Sequence, residues 1–309
     1  VMALVPCNPE LGDPQGKPSW VMDLKEYFNR IGFTGQNAKA DLESLFTIHR
    51  LHVMSIAFEN LSLHSGEKTS MDLNIIYDKI VKKGRGGWCL ENNLLFSWVL
   101  KEMGYKSTIL SSKVFNSQEQ AFLPKDTHLI NLVEVDDKQY IADVSFGESC
   151  QIWYPLELIS DKEQPQPPGV FRLLSNGETW TLQKTGRKQH VLNEGFANCS
   201  FIDKQLTKQI YCFTMTPRTT EHFLEAEEHL QTSPDSLFVL KSICSMHMPT
   251  GFKVLVGWTY TEVTFEKDSD LVDIRNVPDC EIESVLREKF NMQLENKFTP
   301  KNNKGHYVF

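Results

Sequence analysis

The chain has 309 residues, 40% hydrophobic and 23% charged, which suits a globular fold with two or three structural units around a sizeable core. A net charge of −8 argues against nucleic-acid binding as the main activity, because phosphate recognition leaves a basic footprint. The seven cysteines, an odd number without a CxxC pair, fit a reducing compartment, so a cytoplasmic protein with no zinc site is expected.

In chain order, residues 1–21 are proline-rich and lack the basic start and long apolar stretch of a signal peptide; a disordered leader is expected. No apolar run further on approaches a membrane span. Residues 22–104 read as a helical unit: Leu24, Tyr27, Phe28 and Ile31 share one face of a first segment, and Leu42, Leu45, Phe46 and Leu51 one face of a second. A third segment covers 71–84. A fourth starts at Cys89, repeats Leu90, Leu94, Leu95, Trp98, Val99 and Met103 at helical spacing, and stops at Gly104. After Gly104 the period changes to two. Strands are expected at 107–115, 128–135, 138–146, 179–185 and 208–215, an antiparallel sheet or barrel over 105–215 interrupted by a proline-rich surface loop at 161–169. Residues 216–309 return to a mixed pattern: a helix over 219–230, strands within 236–246, 252–266 and 270–275, a helix over 280–290 and a polar tail. The fold class is α+β.

The stretch Arg85-Gly86-Gly87-Trp88-Cys89 carries the chemistry. Cys89 falls in the first turn of its helix, the setting in which the dipole favours thiolate over thiol, and the two glycines are expected to leave backbone amides open to a substrate. A nucleophilic thiol needs a base, and the base an orienting partner. Nine histidines are available, and the hairpin around Asp136-Asp137 singles out one. With those two residues as the turn, Val135 faces Lys138, Ile130 faces Asp143 and His128 faces Ser145, so His128 and Asp143 share a face as diagonal neighbours. A three-residue turn would put them on opposite faces. On residue types alone, Cys89, His128 and Asp143 fit a nucleophile, base and orienting carboxylate, but a partly buried strand histidine and a loop-capping aspartate remain open, since one Cys among seven and one His among nine invite chance constellations.

Other conspicuous residues favour structural roles. Arg85 and Glu59 fit a buried ion pair holding the glycine loop, Phe58 a core residue with one edge towards a pocket, and Lys204–Lys208, Lys184, Arg187 and Lys188 solvated faces. No phosphate-binding glycine loop is present.

The motifs AFENL (57–61), RGGWCLENN (85–93), TH (127–128), IADVSFG (141–147), PLELIS (155–160), PRTTEHF (217–223) and LQTSPDS (230–236) resemble those of the arylamine N-acetyltransferases, vertebrate type, over essentially all of 22–309. The resemblance implies a Cys-His-Asp triad of Cys89, His128 and Asp143. It implies a helical bundle (22–104), an antiparallel β-barrel (105–215) and an α/β lid with the C-terminal tail (216–309), around a cysteine-proteinase-like core. It also implies acetyl-CoA as co-substrate, no metal, and arylamines, arylhydrazines or N-hydroxyarylamines as acceptors, handled by a ping-pong reaction in a monomer. By position, Pro124, Thr127, His229 and Asp235 fall where the family contacts coenzyme A or substrate, although the side chains at 124, 229 and 235 differ from the usual ones. Phe58, Val114, Thr127 and Phe146 fall on the acceptor pocket. Two departures are Ala57, where proline is common, and Glu148, which at a pocket mouth is expected to disfavour anionic acceptors. Residues 1–21 have no family counterpart. Without the family motifs, a cysteine hydrolase or transglutaminase-like enzyme using the same triad, or a non-catalytic scaffold, remains open.

Overall fold

The computed structural model describes residues 21–35, 38–197, 199, 202 and 206–302; most of the 1–21 leader, Lys204 and the end of the polar tail lie outside them. The first helices start where aspartates can cap them. Asp23 accepts the Lys25 amide (2.8 Å) before α1 (Leu24–Ile31), which Gly32 ends in the left-handed conformation, and Asp41 accepts the Ser44 amide (2.8 Å) before α2 (Leu42–Ser55). A two-residue strand, β1 (Phe58–Glu59), precedes α3 (Leu73–Tyr77), whose chain continues as a wider π-helical turn over Asp78–Lys82. α4 (Cys89–Glu102) is buried on nearly every face and is therefore a central helix. Lacking a side-chain oxygen at its cap, α4 begins with the Glu91 carboxylate accepting the Trp88 amide (3.1 Å), and Lys79 pairs with Glu91 at 2.9 Å.

Next come β2 (Lys106–Asn116), β3 (Ala121–Phe122), β4 (His128–Val135), β5 (Lys138–Ala142), β6 (Leu156–Glu157), β7 (Glu163–Gln166), β8 (Gly169–Ser175), β9 (Trp180–Thr185), β10 (Gln189–Val191) and β11 (Thr207–Phe213). One antiparallel sheet runs β6-β5-β4-β2-β11-β9-β8-β7, with β3 on the end of β2. It curls back on itself: Ser160, just past β6, bridges Leu173 in β8, and the Asp161 amide donates to the Leu173 carbonyl (2.7 Å). Leu110, Ile130, Ile141, Phe171, Leu173, Leu182 and Tyr211 fill the barrel.

The last part contains α5 (Leu224–Thr232), α6 (Leu237–Leu240), β12 (Ile243–Met248), β13 (Gly251–Val256), β14 (Thr259–Phe265), β15 (Asp270–Asn276) and α7 (Ile282–Phe290). Its sheet runs β1-β12-β13-β14-β15-β10, so it borrows an edge strand from each earlier part; only β10 lies parallel to its neighbour. Residues 298–302 fold back beneath it. Phe298 is buried, the Thr299 amide donates to the His64 carbonyl (3.1 Å), Ser242 and Lys301 exchange hydrogen bonds, and Asn302 bridges Lys241.

Three expectations are revised. The run 236–246 is not one strand: Ser236 caps a single helical turn, α6, before β12 begins, since a short apolar run suits either state. The 161–169 stretch is not a loop but contains β7, at the sheet edge, where Pro165 is tolerated. The strand from 138 stops at Ala142 rather than reaching Phe146, which frees Asp143 from the ladder.

Candidate active site

Cys89 stands at the head of α4, and the loop before it is locked in place. Arg85 and Glu59 form the expected buried ion pair (3.1 Å). The glycines answer to packing: a Cβ on Gly86 would lie 2.2 Å from the Ala57 carbonyl oxygen and one on Gly87 2.8 Å from Glu91 Oε2. The Gly87 amide, expected to be open to a substrate, instead donates to Ala57 O (3.1 Å), while Gly87 O accepts from Glu59 (3.0 Å). These bonds tie the loop to β1, so the glycines fix the sulfur's position.

The hairpin brings the base. Asp136 and Asp137 both have positive φ (50° and 59°), as a two-residue type I′ turn requires, and Val135 pairs with Lys138 through to Asn131 with Ala142. Past Ala142 the chain leaves the ladder, and Asp143 meets His128 directly: His128 Nε2 lies 2.7 Å from Asp143 Oδ2, both residues buried. The other ring nitrogen, Nδ1, is left for Cys89, whose side chain is within hydrogen-bonding reach of the ring and whose Sγ lies 3.8 Å from the Thr127 carbonyl oxygen. Cys89 is 5% exposed.

Burial alone would favour neutral imidazole. The Asp143 charge and hydrogen bond, then Cys89, outweigh it and raise His128 to about 10. Burial alone would also raise Asp143; His128, Asn93 and the Ser145 amide hold its carboxyl below its ordinary value. Oδ1 accepts from Asn93 Nδ2 (2.9 Å) and the Ser145 amide (3.1 Å), and the Asp143 carbonyl accepts from Gln151 Nε2 (2.6 Å). Tyr211, fully buried, lies against the His128 ring with centroids 5.2 Å apart, and Phe146 meets the same ring edge-on at 5.2 Å. Tyr211, Asn93 and Gln151 were not singled out from sequence. Asn92-Asn93, two amides on a buried apolar helix, were the available signal, because such groups must find partners.

Of the expected acceptor-pocket residues, Phe146 touches His128, Val114 pairs with Tyr211 across the sheet, and Phe58 lies 3.2 Å from the Cβ position of Gly147. Thr127 stands beside Cys89 and Pro124 is exposed on the same loop. His229 lies half-buried on α5 and Asp235 is exposed before α6. The two groups occupy different segments, joined by the Lys125–Glu225 ion pair (3.1 Å) and the His222–Asp126 bond (3.0 Å). α6 reaches the nucleophile's platform through Phe238, whose ring is 5.2 Å from that of Trp88.

Glu148 does not stand exposed at a pocket mouth. It is buried, its amide donates to Ser245 Oγ (3.3 Å), its carbonyl accepts from His247 Nε2 (2.8 Å), and burial followed by Cys150 holds its carboxyl well above the carboxylate range against Lys208 and Lys241. Lys184 is likewise buried rather than solvated, its ammonium on the Ser149 carbonyl. Arg187 pairs with Asp270 at 2.6 Å. Among the described residues no His, Cys, Asp and Glu cluster could hold a metal ion.

The profile of an N-acetyltransferase family matches residues 41–299. A chicken (Gallus gallus) protein, arylamine N-acetyltransferase, pineal gland isozyme NAT-3, is 49% identical over 91% of this chain and 98% of its own length. The chain belongs to the arylamine N-acetyltransferase family. It is an enzyme of the acyltransferase class, and its fold is the helical bundle, barrel and α/β lid of that family. The arylamine N-acetyltransferase from Salmonella typhimurium superposes with a TM-score of 0.76 at 27% identity, over 89% of this chain and 94% of its own. The Mycobacterium marinum enzyme, solved in complex with CoA, superposes with a TM-score of 0.75 at 23% identity over 87% and 92%.

Proposed function

We propose that this enzyme moves an acetyl group from acetyl-CoA to arylamines and arylhydrazines, and to the oxygen of N-hydroxyarylamines, through an acetyl-Cys89 intermediate. The observation that carries the reading is the line of Cys89, His128 and Asp143, with Nε2 committed to Asp143 (2.7 Å) and Nδ1 left for the sulfur. The names of the relatives supply the arylamine, and the CoA complex of the Mycobacterium marinum enzyme the donor.

His128, raised to about 10, keeps an imidazolium beside Cys89, the cationic neighbour that a cysteine nucleophile uses. The thiolate attacks the thioester carbonyl, and backbone amides in the first turn of α4, which lack helical partners, stabilise the oxyanion. The bond from carbonyl carbon to the CoA sulfur breaks, and that sulfur takes the proton of His128. In the second half, the amine nitrogen attacks acetyl-Cys89, neutral His128 takes a proton from it, and the Cys89 thiolate leaves. Asp143 holds the ring throughout. The order is ping-pong. Residues 22–104 present the sulfur, 105–215 the base and carboxylate, and 216–309 the lid. Pro124, Thr127, His229 and Asp235 receive CoA, and Phe58, Val114, Thr127 and Phe146 the aromatic acceptor, which stacks on the phenyl rings. The six described cysteines are all free, in keeping with a reducing, cytoplasmic setting, and the enzyme acts as a monomer.

Intact-protein mass after mixing with acetyl-CoA tests the reading. Wild type gains one acetyl group, loses it when an arylamine is added, and Cys89→Ser gains none. An unmodified wild type that turns over peptide amides instead points to the hydrolase.

A further inference from the structure

His49 approaches Asp143 from the helical side. It is fully buried on α2, away from the hairpin that carries His128. Its Nε2 accepts the Asp143 amide (3.1 Å), so its proton must sit on Nδ1, which donates to the Trp153 carbonyl (2.8 Å). Both ring nitrogens are used, and Phe96 packs edge-on against the ring at 5.7 Å. Burial, the largest influence, lowers this histidine to about 4, so the ring stays neutral and remains an acceptor.

The location gives this contact its consequence. The ladder of β5 ends at Ala142, so the next amide, that of Asp143, has no strand partner. Four groups fix the residue from different elements: His49 of α2 takes its N–H, Gln151 its carbonyl, and Asn93 of α4 and the Ser145 amide one carboxylate oxygen. The His49 bond holds the Asp143 amide, the first backbone N–H past the end of the ladder, while Gln151 holds the carbonyl and Asn93 the next amide (2.9 Å). We propose that His49 is a positioning residue for the reaction, holding the Asp143 backbone so that its free carboxylate oxygen stays on His128. The inference rests on the proposed triad.

Four variants test it, read by the pH profile of Cys89 alkylation with iodoacetamide and by kcat and KM for acetyl transfer to an uncharged arylamine. His49→Phe keeps a ring and removes both hydrogen bonds. Its alkylation limb is expected to move up by about one pH unit and kcat to fall about tenfold, with KM for the arylamine unchanged. His49→Gln, which keeps an acceptor and a donor at similar reach, restores both values. Should His49→Phe not fold, His49→Asn keeps the amide chemistry but is one methylene too short, and is expected to show the same losses. Ile48→Ala, a cavity in the same buried face of α2, lowers stability without touching Asp143 and keeps the wild-type profile. Wild-type kinetics in His49→Phe or His49→Asn, or an equal shift in Ile48→Ala, overturns the inference. Asp143→Asn separates the readings: if it leaves the profile unmoved the triad itself fails, whereas if it moves the profile and the His49 variants do not, only the inference fails.

Discussion

Asp143 remains ionised where burial alone would neutralise it, because every polar atom it has is engaged. His128 gains in turn. Its folded value, about 10, lies above its ordinary 6.5, so the stability it contributes is fully present below pH 6.5 and is lost as pH rises through about 10. Asp143 is lowered from 3.8, so its contribution is present above that pH and lost as pH falls further. Asp143→Asn is therefore expected to destabilise the protein most between those limits, with the gap to wild type closing towards pH 10 in urea titrations. Its kcat should fall by about 10²–10⁴-fold, since the ring loses its orienting charge. At this scale Cys89, His128 and Asp143 were legible: a helix start and a two-residue turn are local patterns. His49, Asn93, Gln151 and Tyr211 were not, because their partners lie across the fold and no spacing links them.

Among the elements, the hairpin of β4 and β5 decides whether there is a site. One residue added at Asp136-Asp137 would disturb the register of β5 on β4, which sets where Asp143 leaves the ladder. The turn also carries strain, since both aspartates adopt left-handed backbone. Asp137→Gly is expected to stabilise the protein by up to about 1 kcal/mol, read as a higher urea midpoint at unchanged slope, with activity retained. Element boundaries were readable where burial alternates along the strand, as in β9, whose Trp180–Thr185 falls within the expected 179–185. They were not where tertiary contacts rule: α6 is one capped turn within an apolar run, and β7 exists because β8 pairs with it. The glycines before α4 show the same limit. Sequence identified them as special, but the reason, the Ala57 carbonyl and the Glu91 carboxylate where a Cβ on Gly86 or Gly87 would fall, belongs to the assembled fold.

Across the whole molecule, three fully buried histidines join separate elements: His49 of α2 meets Asp143, His52 of α2 lies between Tyr27 of α1 (2.8 Å) and Asn92 of α4 (3.3 Å), and His247 of β12 lies between Trp153 (2.7 Å) and Glu148. Burial lowers them to about 4, 3 and 3 from 6.5. A lowered value means that the unfolded chain takes up protons first, so the stability they contribute is present above pH 6.5 and drains as pH falls towards 4. Acid unfolding is expected to begin in that interval, followed by tryptophan fluorescence, and His247→Gln should make the slope shallower. The class of the fold was legible from the switch of period at Gly104; how the last sheet borrows β1 and β10 was not, because pairings so distant leave no trace in local pattern. That threading reaches residues 299–302. Residues 299–302 are stitched to His64, Lys241 and Ser242; Asn60 holds the Phe238 and Lys241 carbonyls; and Phe238 supports the indole preceding the nucleophile. Substitutions within 299–302 therefore act at a distance on the support beneath the sulfur, although none of these residues touches it.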